Sequence, residues 1–253
     1  MKRLLIILPI LSLLVTSCYK DPYADAIISP NPAWVGEDIT FTNISSNTDY
    51  SEWDMGDGTS SSSFNVIHYY YDPGVYDVTL RSFGRKGGAN VASFVVEVDG
   101  SELKIIVEER WEGYLIEGAS VVLFNSLDAW MDLDYDNATE EQFTNRYGEC
   151  WFSDLSYQKY YVDVYYRVGN EGFVNELLGL EDPEKWIETQ QLPGGWDHTF
   201  IAVVEEVFFN DTKKSTGRPA VRAPEKQIKR KVESAPGVEA PRENKISVKK
   251  ERK

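Results

Sequence analysis

Six consecutive residues, Trp53-Asp54-Met55-Gly56-Asp57-Gly58, constrain the fold of this 253-residue chain more than any other stretch. A tryptophan calls for burial of a large aromatic surface. Asp57-Gly58 calls for a tight reversal, because Gly accepts positive φ without a Cβ clash and Asp tolerates it. Asp54 and Asp57 bring carboxylates that accept hydrogen bonds from turn amides. An inward anchor followed at once by a reversal marks the end of one strand and the start of another.

The flanking sequence has the period of strands. Ile27-Ile28 opens one, and Pro30 and Pro32 confine it to an edge or break it. Val35-Gly36-Glu37 turns into 38–43, with Ile39 and Phe41 on one face. A Ser-rich loop at 59–63 leads to Val66–Tyr71, Asp72-Pro73-Gly74 is a turn, and Tyr76, Val78 and Leu80 alternate as a buried face. Lys86-Gly87-Gly88 is a further hairpin turn, after which Phe94, Val96 and Val98 close the first unit.

These residues carry a resemblance. Trp53, Asp54, Gly56, Asp57 and Gly58 are similar to the Trp-Asp-Phe-Gly-Asp-Gly signature of PKD (polycystic kidney disease) domains, with Met55 in the place of Phe. The second half of that signature is matched at His68, Tyr70, Pro73, Gly74, Tyr76, Val78 and Leu80. The resemblance implies an immunoglobulin-like β-sandwich over 24–99 in which these residues are framework, His68 orienting a loop by hydrogen bonding. Asp99-Gly100-Ser101 is the expected boundary. From 102 to 207 the strands Leu103–Val107, Gly118–Phe124 and Tyr160–Tyr166 follow, with a turn at Thr144–Gly148 that leads to Cys150, Phe152 and Leu155. This arrangement resembles the carboxypeptidase regulatory-like (transthyretin-like) β-sandwich, with Asn145 where that family has Asp. Asp182-Pro183 starts one helical turn, and Thr199–Val207 is expected as the final strand.

The N-terminus reads as an export signal. Lys2 and Arg3 precede an apolar run, Leu4–Val15, that is shorter than the roughly 20 residues a membrane-spanning helix needs. It ends in Val15-Thr16-Ser17-Cys18, which resembles a bacterial lipobox. The expectation is a signal peptide over 1–17, lipidation of Cys18 and a polar tether over 18–23. Lys20-Asp21 resembles the surface-export signals of Bacteroidota lipoproteins. Cys150 is the second of two cysteines, so no disulfide framework is expected; alternation places it as a small buried hydrophobe.

Charge divides the chain. Residues 211–253 carry fourteen basic and six acidic groups, a net of +8, whereas the first 210 residues carry a net of −23. An acidic body argues against nucleic-acid binding by the folded part. Past Phe209 the chain is basic, Pro-rich and without aromatics, so 208–253 is expected to be a disordered tail.

Catalytic chemistry finds little footing. There are two histidines, and neither a nucleophile elbow, a His-Glu-x-x-His zinc motif nor a phosphate loop is present. His198 follows Trp196-Asp197 at an expected turn, isolated in sequence. Asp132, Asp134 and Asp136 have the spacing that begins a calcium loop, but Phe143 stands where the bidentate Glu is required. Tyr69–Tyr71, Tyr157, Tyr160, Tyr161, Tyr165 and Tyr166 lie on alternating segments, so half of them are expected to face outward. The expected protein is therefore all-β: two tandem immunoglobulin-like sandwiches after a lipoprotein signal peptide, with a disordered basic tail. It has no catalytic residue, metal or cofactor. It is expected at the outer membrane, lipid-anchored, as a protein-interaction or spacer module. The alternative is a surface glycan-binding accessory of a polysaccharide-uptake system, which calls for a row of outward aromatics.

Overall fold

The computed structural model describes residues 20–213, 219–222 and 245–249. Cys18 and the expected signal peptide lie outside the described residues, as does the greater part of the basic tail.

The first sandwich is built from β1 (Ala26–Ser29), β2 (Ala33–Trp34), β3 (Ile39–Asn43), β4 (Tyr50–Asp54), β5 (Ser60–Ser61), β6 (Val66–His68), β7 (Gly74–Phe83) and β8 (Ala89–Asp99). One sheet has the order β1-β3-β6 and the other β2-β8-β7-β4-β5. Period-2 alternation works as expected. Ile39 and Phe41 from one sheet face Trp53, Val78, Leu80 and Val96 from the other, all buried, and the edge of the Trp53 indole meets Phe41 at 5.7 Å between centroids. The two prolines end β1 before β2 begins.

The second sandwich contains β9 (Ser101–Glu109), β10 (Ser120–Phe124), β11 (Gln142–Phe143), β12 (Glu149–Leu155), β13 (Tyr161–Val168), β14 (Glu171–Val174), β15 (Trp196–Lys213), β16 (Pro219–Arg222) and β17 (Lys245–Lys249). β15 belongs to both sheets. Asp197–Val204 runs parallel to β9, and Glu205–Phe208 then pairs antiparallel with β14. Leu103, Ile105, Val107, Val121, Leu123, Cys150, Val162, Val164, Phe200 and Ala202 fill the space between the sheets.

Two expectations need correction. The strand expected at Thr199–Val207 begins at Trp196 and continues to Lys213, because Val207 and Phe209 still find apolar partners in Val174, Tyr165 and Leu177. It is also not the last strand. Within the segment expected to lack structure, 208–213, 219–222 and 245–249 are strands, and β16 and β17 both pair with β15. β17 lies along β15 of the chain's own second sandwich, with Lys245 Nζ donating to the Glu184 carbonyl at 2.9 Å.

The all-β class holds, with short helices added to the strands. Besides the expected turn, α3 (Pro183–Trp186), there are α1 (Leu127–Asp132) and α2 (Glu176–Glu181). Each is too short to display a 3.6-residue period. They cover one outer face of the sandwich, where Trp130, Leu178, Trp186 and Ile187 pack on Val122 and Phe124. The acidic stretch at 132–137 is consequently the end of α1 followed by a 3₁₀ turn. The Asp134 carboxylate caps that turn, accepting from Asp136 N at 3.2 Å and Asn137 Nδ2 at 2.7 Å.

Candidate functional site

The signature residues converge at the end of the first sandwich that faces the second. The β4–β5 reversal closes with Met55 N donating to Thr59 O at 3.0 Å. As expected, the carboxylates serve the turn: Asp54 Oδ1 accepts from Gly56 N at 3.0 Å and Asp57 Oδ1 from Thr59 N at 2.9 Å. Gly56 has φ +79°, and a Cβ there would lie 2.7 Å from the Asp77 carbonyl, so glycine is required both by conformation and by close approach. Met55 is buried, and its carbonyl accepts the Tyr70 hydroxyl at 2.8 Å.

His68 Nε2 lies 2.7 Å from Asp57 Oδ2 and its ring meets Tyr70 edge-on at 4.8 Å. Burial pushes the Asp57 carboxyl up. The hydrogen bonds from Thr59 and His68, together with the His68 charge, outweigh that and hold it below the ordinary carboxylate value. Tyr70 stacks on Tyr76 at 3.9 Å, and burial, then the Asp57 charge, drives its phenol well above the ordinary tyrosine range. Tyr76 in turn donates to the Asp72 carbonyl at 2.7 Å, pinning the Pro73-Gly74 turn. Trp53 is buried with Nε1 donating to Phe64 O at 3.4 Å. The Asp54, Asp57, Tyr70 and Tyr76 hydrogen bonds thus hold the turns at this end of the sandwich together.

A second convergence was not legible in the sequence. β8 ends at Asp99 and β9 begins at Ser101, so one residue, Gly100, joins the sandwiches. A Cβ on Gly100 would lie 2.5 Å from Asp154 Cα. Around it the domains exchange hydrogen bonds: Tyr157 N to Tyr71 O at 2.7 Å, Gly194 N to Val35 O at 2.9 Å, and Ser156 Oγ to Asp72 Oδ1 at 2.6 Å. Tyr157 packs against the first core, and Trp34 covers Gly194 and Gly195. The signals present in sequence, Gly36 at a turn and the Gly194-Gly195 pair, mark close approach without saying to what.

Three tyrosines of the set from which half were expected to face outward gather at this seam. The Tyr69 and Tyr71 hydroxyls are 2.8 Å apart, and both rings contact Tyr157. The rings are inclined by 61° (Tyr69 to Tyr71), 90° (Tyr69 to Tyr157) and 30° (Tyr71 to Tyr157), so they form a knot and no flat platform. The outward aromatics on the second sandwich include Phe143 of β11 and Trp151 of β12, both more than half exposed, Trp151 lying opposite Lys104.

His198 is not at a turn. It lies in β15, buried, with Nε2 donating to the Pro193 carbonyl at 2.8 Å. That leaves Nδ1 to accept from Ser247 Oγ of β17 at 2.6 Å. Its partner comes from 49 residues further along the chain, beyond the reach of local sequence reading. Cys150 is buried, and burial pushes its thiol up to about 12. Among the described residues no group of three or more His, Cys, Asp or Glu side chains is placed to hold a metal ion.

The family described as PKD domain matches residues 19–98, and this part of the chain is a PKD domain. Among solved structures, the chain is similar to the PKD1 domain of Vibrio anguillarum Epp, with 22% identity over 32% of this chain and 95% of that one and a TM-score of 0.28. It is also similar to the PKD1 domain of the Vibrio cholerae metalloprotease PrtV, with 24% identity over 32% of this chain and 99% of that one and a TM-score of 0.28. A structure described as a carbohydrate-binding module of the β-sandwich superfamily shares 15% identity over 53% of this chain and 79% of its own, with a TM-score of 0.31.

Proposed function

We propose that this chain is a non-catalytic, lipid-anchored cell-envelope protein of Bacteroidota type, held at the outer membrane through Cys18. Its PKD domain and a carboxypeptidase regulatory-like second sandwich together form a protein-interaction and spacer unit. The observation that carries the reading is the one-residue join at Gly100 with its surrounding hydrogen bonds. A linker that short, clasped on both sides, suits a module that holds a partner surface at a set distance and orientation; independent binding domains are more often strung on flexible linkers. The signature residues support it, since their polar groups are consumed in holding the turn that faces the second domain.

Metabolic labelling with a fatty-acid probe tests the anchor: wild type takes up label and Cys18→Ala does not. Equal labelling of both overturns it. Chemical cross-linking on intact cells followed by capture of the full chain identifies the partner, and a polypeptide recovered with wild type but lost when surface residues of the sandwiches are changed supports the interaction role.

The alternative, a glycan-binding accessory of a polysaccharide-uptake system, draws on Trp151, an exposed indole on the strand pair that also carries the Lys104–Glu149 ion pair, 3.4 Å between Nζ and Oε1. The knotted tyrosines at the seam weigh against it, because sugar rings stack on flat, outward faces. Loss of polysaccharide binding in Trp151→Ala with an unchanged melting temperature would favour this alternative.

A further inference from the structure

The proposed anchor leaves very little chain between membrane and protein. The tether expected over 18–23 is pinned for half its length. Tyr23 and Ser46 exchange both backbone hydrogen bonds at 2.9 Å, Asn47 Nδ2 donates to Asp21 O at 3.3 Å, and Pro22 is buried with its Cδ 3.7 Å from the Cβ position of Gly88. Three residue steps separate Cys18 from Asp21. At about 3.3–3.6 Å per step even a fully extended chain spans about 10 Å, whereas the ten residues of β7 alone extend about 33 Å. Body rotation about so short a tether leaves one end of the PKD domain at the headgroups.

That end is a single, cross-braced pole. Ala24 N donates to Asn90 Oδ1 at 2.8 Å, Asp49 N to Phe83 O at 2.7 Å, and Ser82 Oγ to Ser45 Oγ at 2.9 Å. These bonds tie the segment before β1, the β3–β4 loop and the β7–β8 hairpin together. The surface they present is amphipathic. Tyr23, Ile44 and Tyr50 are all about half exposed or more, and Tyr50 lies flat on Phe83 with centroids 4.4 Å apart and Arg81 over the far ring. Lys20, Arg85 and Lys86 balance Asp21, Asp25 and Asp49, so this pole is neutral on a body that carries −23 over its first 210 residues. Tyrosines and basic side chains are the residue types that settle at a membrane–water interface, and a neutral pole is where an acidic body approaches anionic lipid at least electrostatic cost.

We propose that the pole of the PKD domain built from 20–25, 44–50 and 83–90 rests against the bilayer that holds Cys18, with Tyr23, Ile44 and Tyr50 entering the headgroup layer. The inference rests on the anchored reading above. It sets the second sandwich outward, on the side of the signature turn, away from the lipid.

The test uses full-length lipidated protein in vesicles of phosphatidylethanolamine and phosphatidylglycerol, with an environment-sensitive fluorophore on Ser46→Cys or, as the distal control, Asp136→Cys; both positions are exposed. The expected result is a blue shift and loss of iodide quenching at position 46 on reconstitution, with position 136 unchanged. In Tyr23→Ser/Tyr50→Ser, flotation with vesicles persists while the protection at position 46 is lost. Flotation that requires Cys18 together with a position 46 as open to iodide as position 136 overturns the pole and leaves the anchor standing. Flotation indifferent to Cys18→Ala overturns the anchor, and the pole assignment with it.

Discussion

The ring of Tyr157, from the second sandwich, lies directly over the α-carbon of Gly36 in the first. A Cβ at position 36 would sit 2.7 Å from Tyr157 Cγ, and the Gly36 backbone has a φ of +72°. Both the contact and the conformation exclude a side chain there, so Gly36, like Gly100 and Gly194, is needed for the close approach of the two domains.

Gly36→Ala is therefore expected to destabilise the chain by about 1–3 kcal/mol through forced repacking, with added backbone strain. Tyr157→Ala removes the ring that covers Gly36 and packs on the edge of the first core, and its expected effect is separation of the unfolding of the two sandwiches. Differential scanning calorimetry reads both. A Gly36→Ala chain that melts as wild type would contradict the tight approach.

Trp53 is the largest fully buried side chain of the PKD domain. Trp53→Ala is expected to cost about 3–5 kcal/mol, a large part of the stability of a domain of this size. Denaturant unfolding followed by near-ultraviolet circular dichroism measures it, and an unchanged midpoint would refute the anchor role.

Asp57 makes the first domain sensitive to acid. Its folded carboxyl lies below the ordinary value: burial raises it, but hydrogen bonds from Thr59 and His68 outweigh that. A depressed carboxylate contributes stability that is present above the unfolded pKa, about 3.9, and is lost as pH falls through the folded value. Asp57→Asn should thus be less stable than wild type at neutral pH, and the gap should narrow below about pH 4. Thermal melts across pH 2–7 check the sign. A gap that widens in acid would mean that the carboxylate is not stabilised by Thr59 and His68.

Cys150 should behave as a hydrophobe. Its thiol is buried between the sheets and raised to about 12 by that burial, so almost no thiolate exists at neutral pH. Native protein is expected to resist iodoacetamide at position 150 and to react fully once unfolded. Mass spectrometry of the peptide decides it, and rapid native labelling would place the thiol elsewhere.

Ending the chain after Asn244 removes β17, uncovers the Trp196–Phe200 edge of β15 and takes Ser247 from His198. An open strand edge is a template for pairing with another chain. The expected outcome is a lower melting temperature of the second domain and self-association at high concentration. Sedimentation velocity and a melt test it, and a truncated chain that stays monomeric with an unchanged melting temperature would show that β17 contributes nothing.

What could be read from sequence was whatever depends on neighbours in the chain. The inward face of Ile39, Phe41, Val78 and Leu80, the Asp54 and Asp57 turn bonds and the Cys150–Phe152 alternation each involve residues within a few positions, where the period of a strand and the chemistry of a turn are explicit. Contacts across long separations were not legible. Ser247 reaching His198, Tyr157 covering Gly36 and the extension of β15 to Lys213 depend on which sheet edge lies nearby, and no local pattern encodes that. The helices α1 and α2 escaped for another reason: six residues give barely more than one and a half turns, too few for a 3.6 period to emerge from an acidic background.

The parallel ladder between β9 and β15 has a mechanical consequence. It holds eight facing pairs, from Glu102 opposite Asp197 to Glu109 opposite Val204. If the chain is anchored as proposed, a pull from the membrane side would pass through Gly100 to the first residue of β9. A pull from a partner gripping the other sheet leaves by the far end of β15. The two strands are then drawn past one another along their length, and the hydrogen bonds between them are strained together; none is peeled ahead of the rest. Forced unfolding is governed by the unfolding rate, and a ladder loaded in shear resists rupture in a way that a zippered hairpin cannot. Held between a surface and a partner, this sandwich would carry tension along its strongest axis.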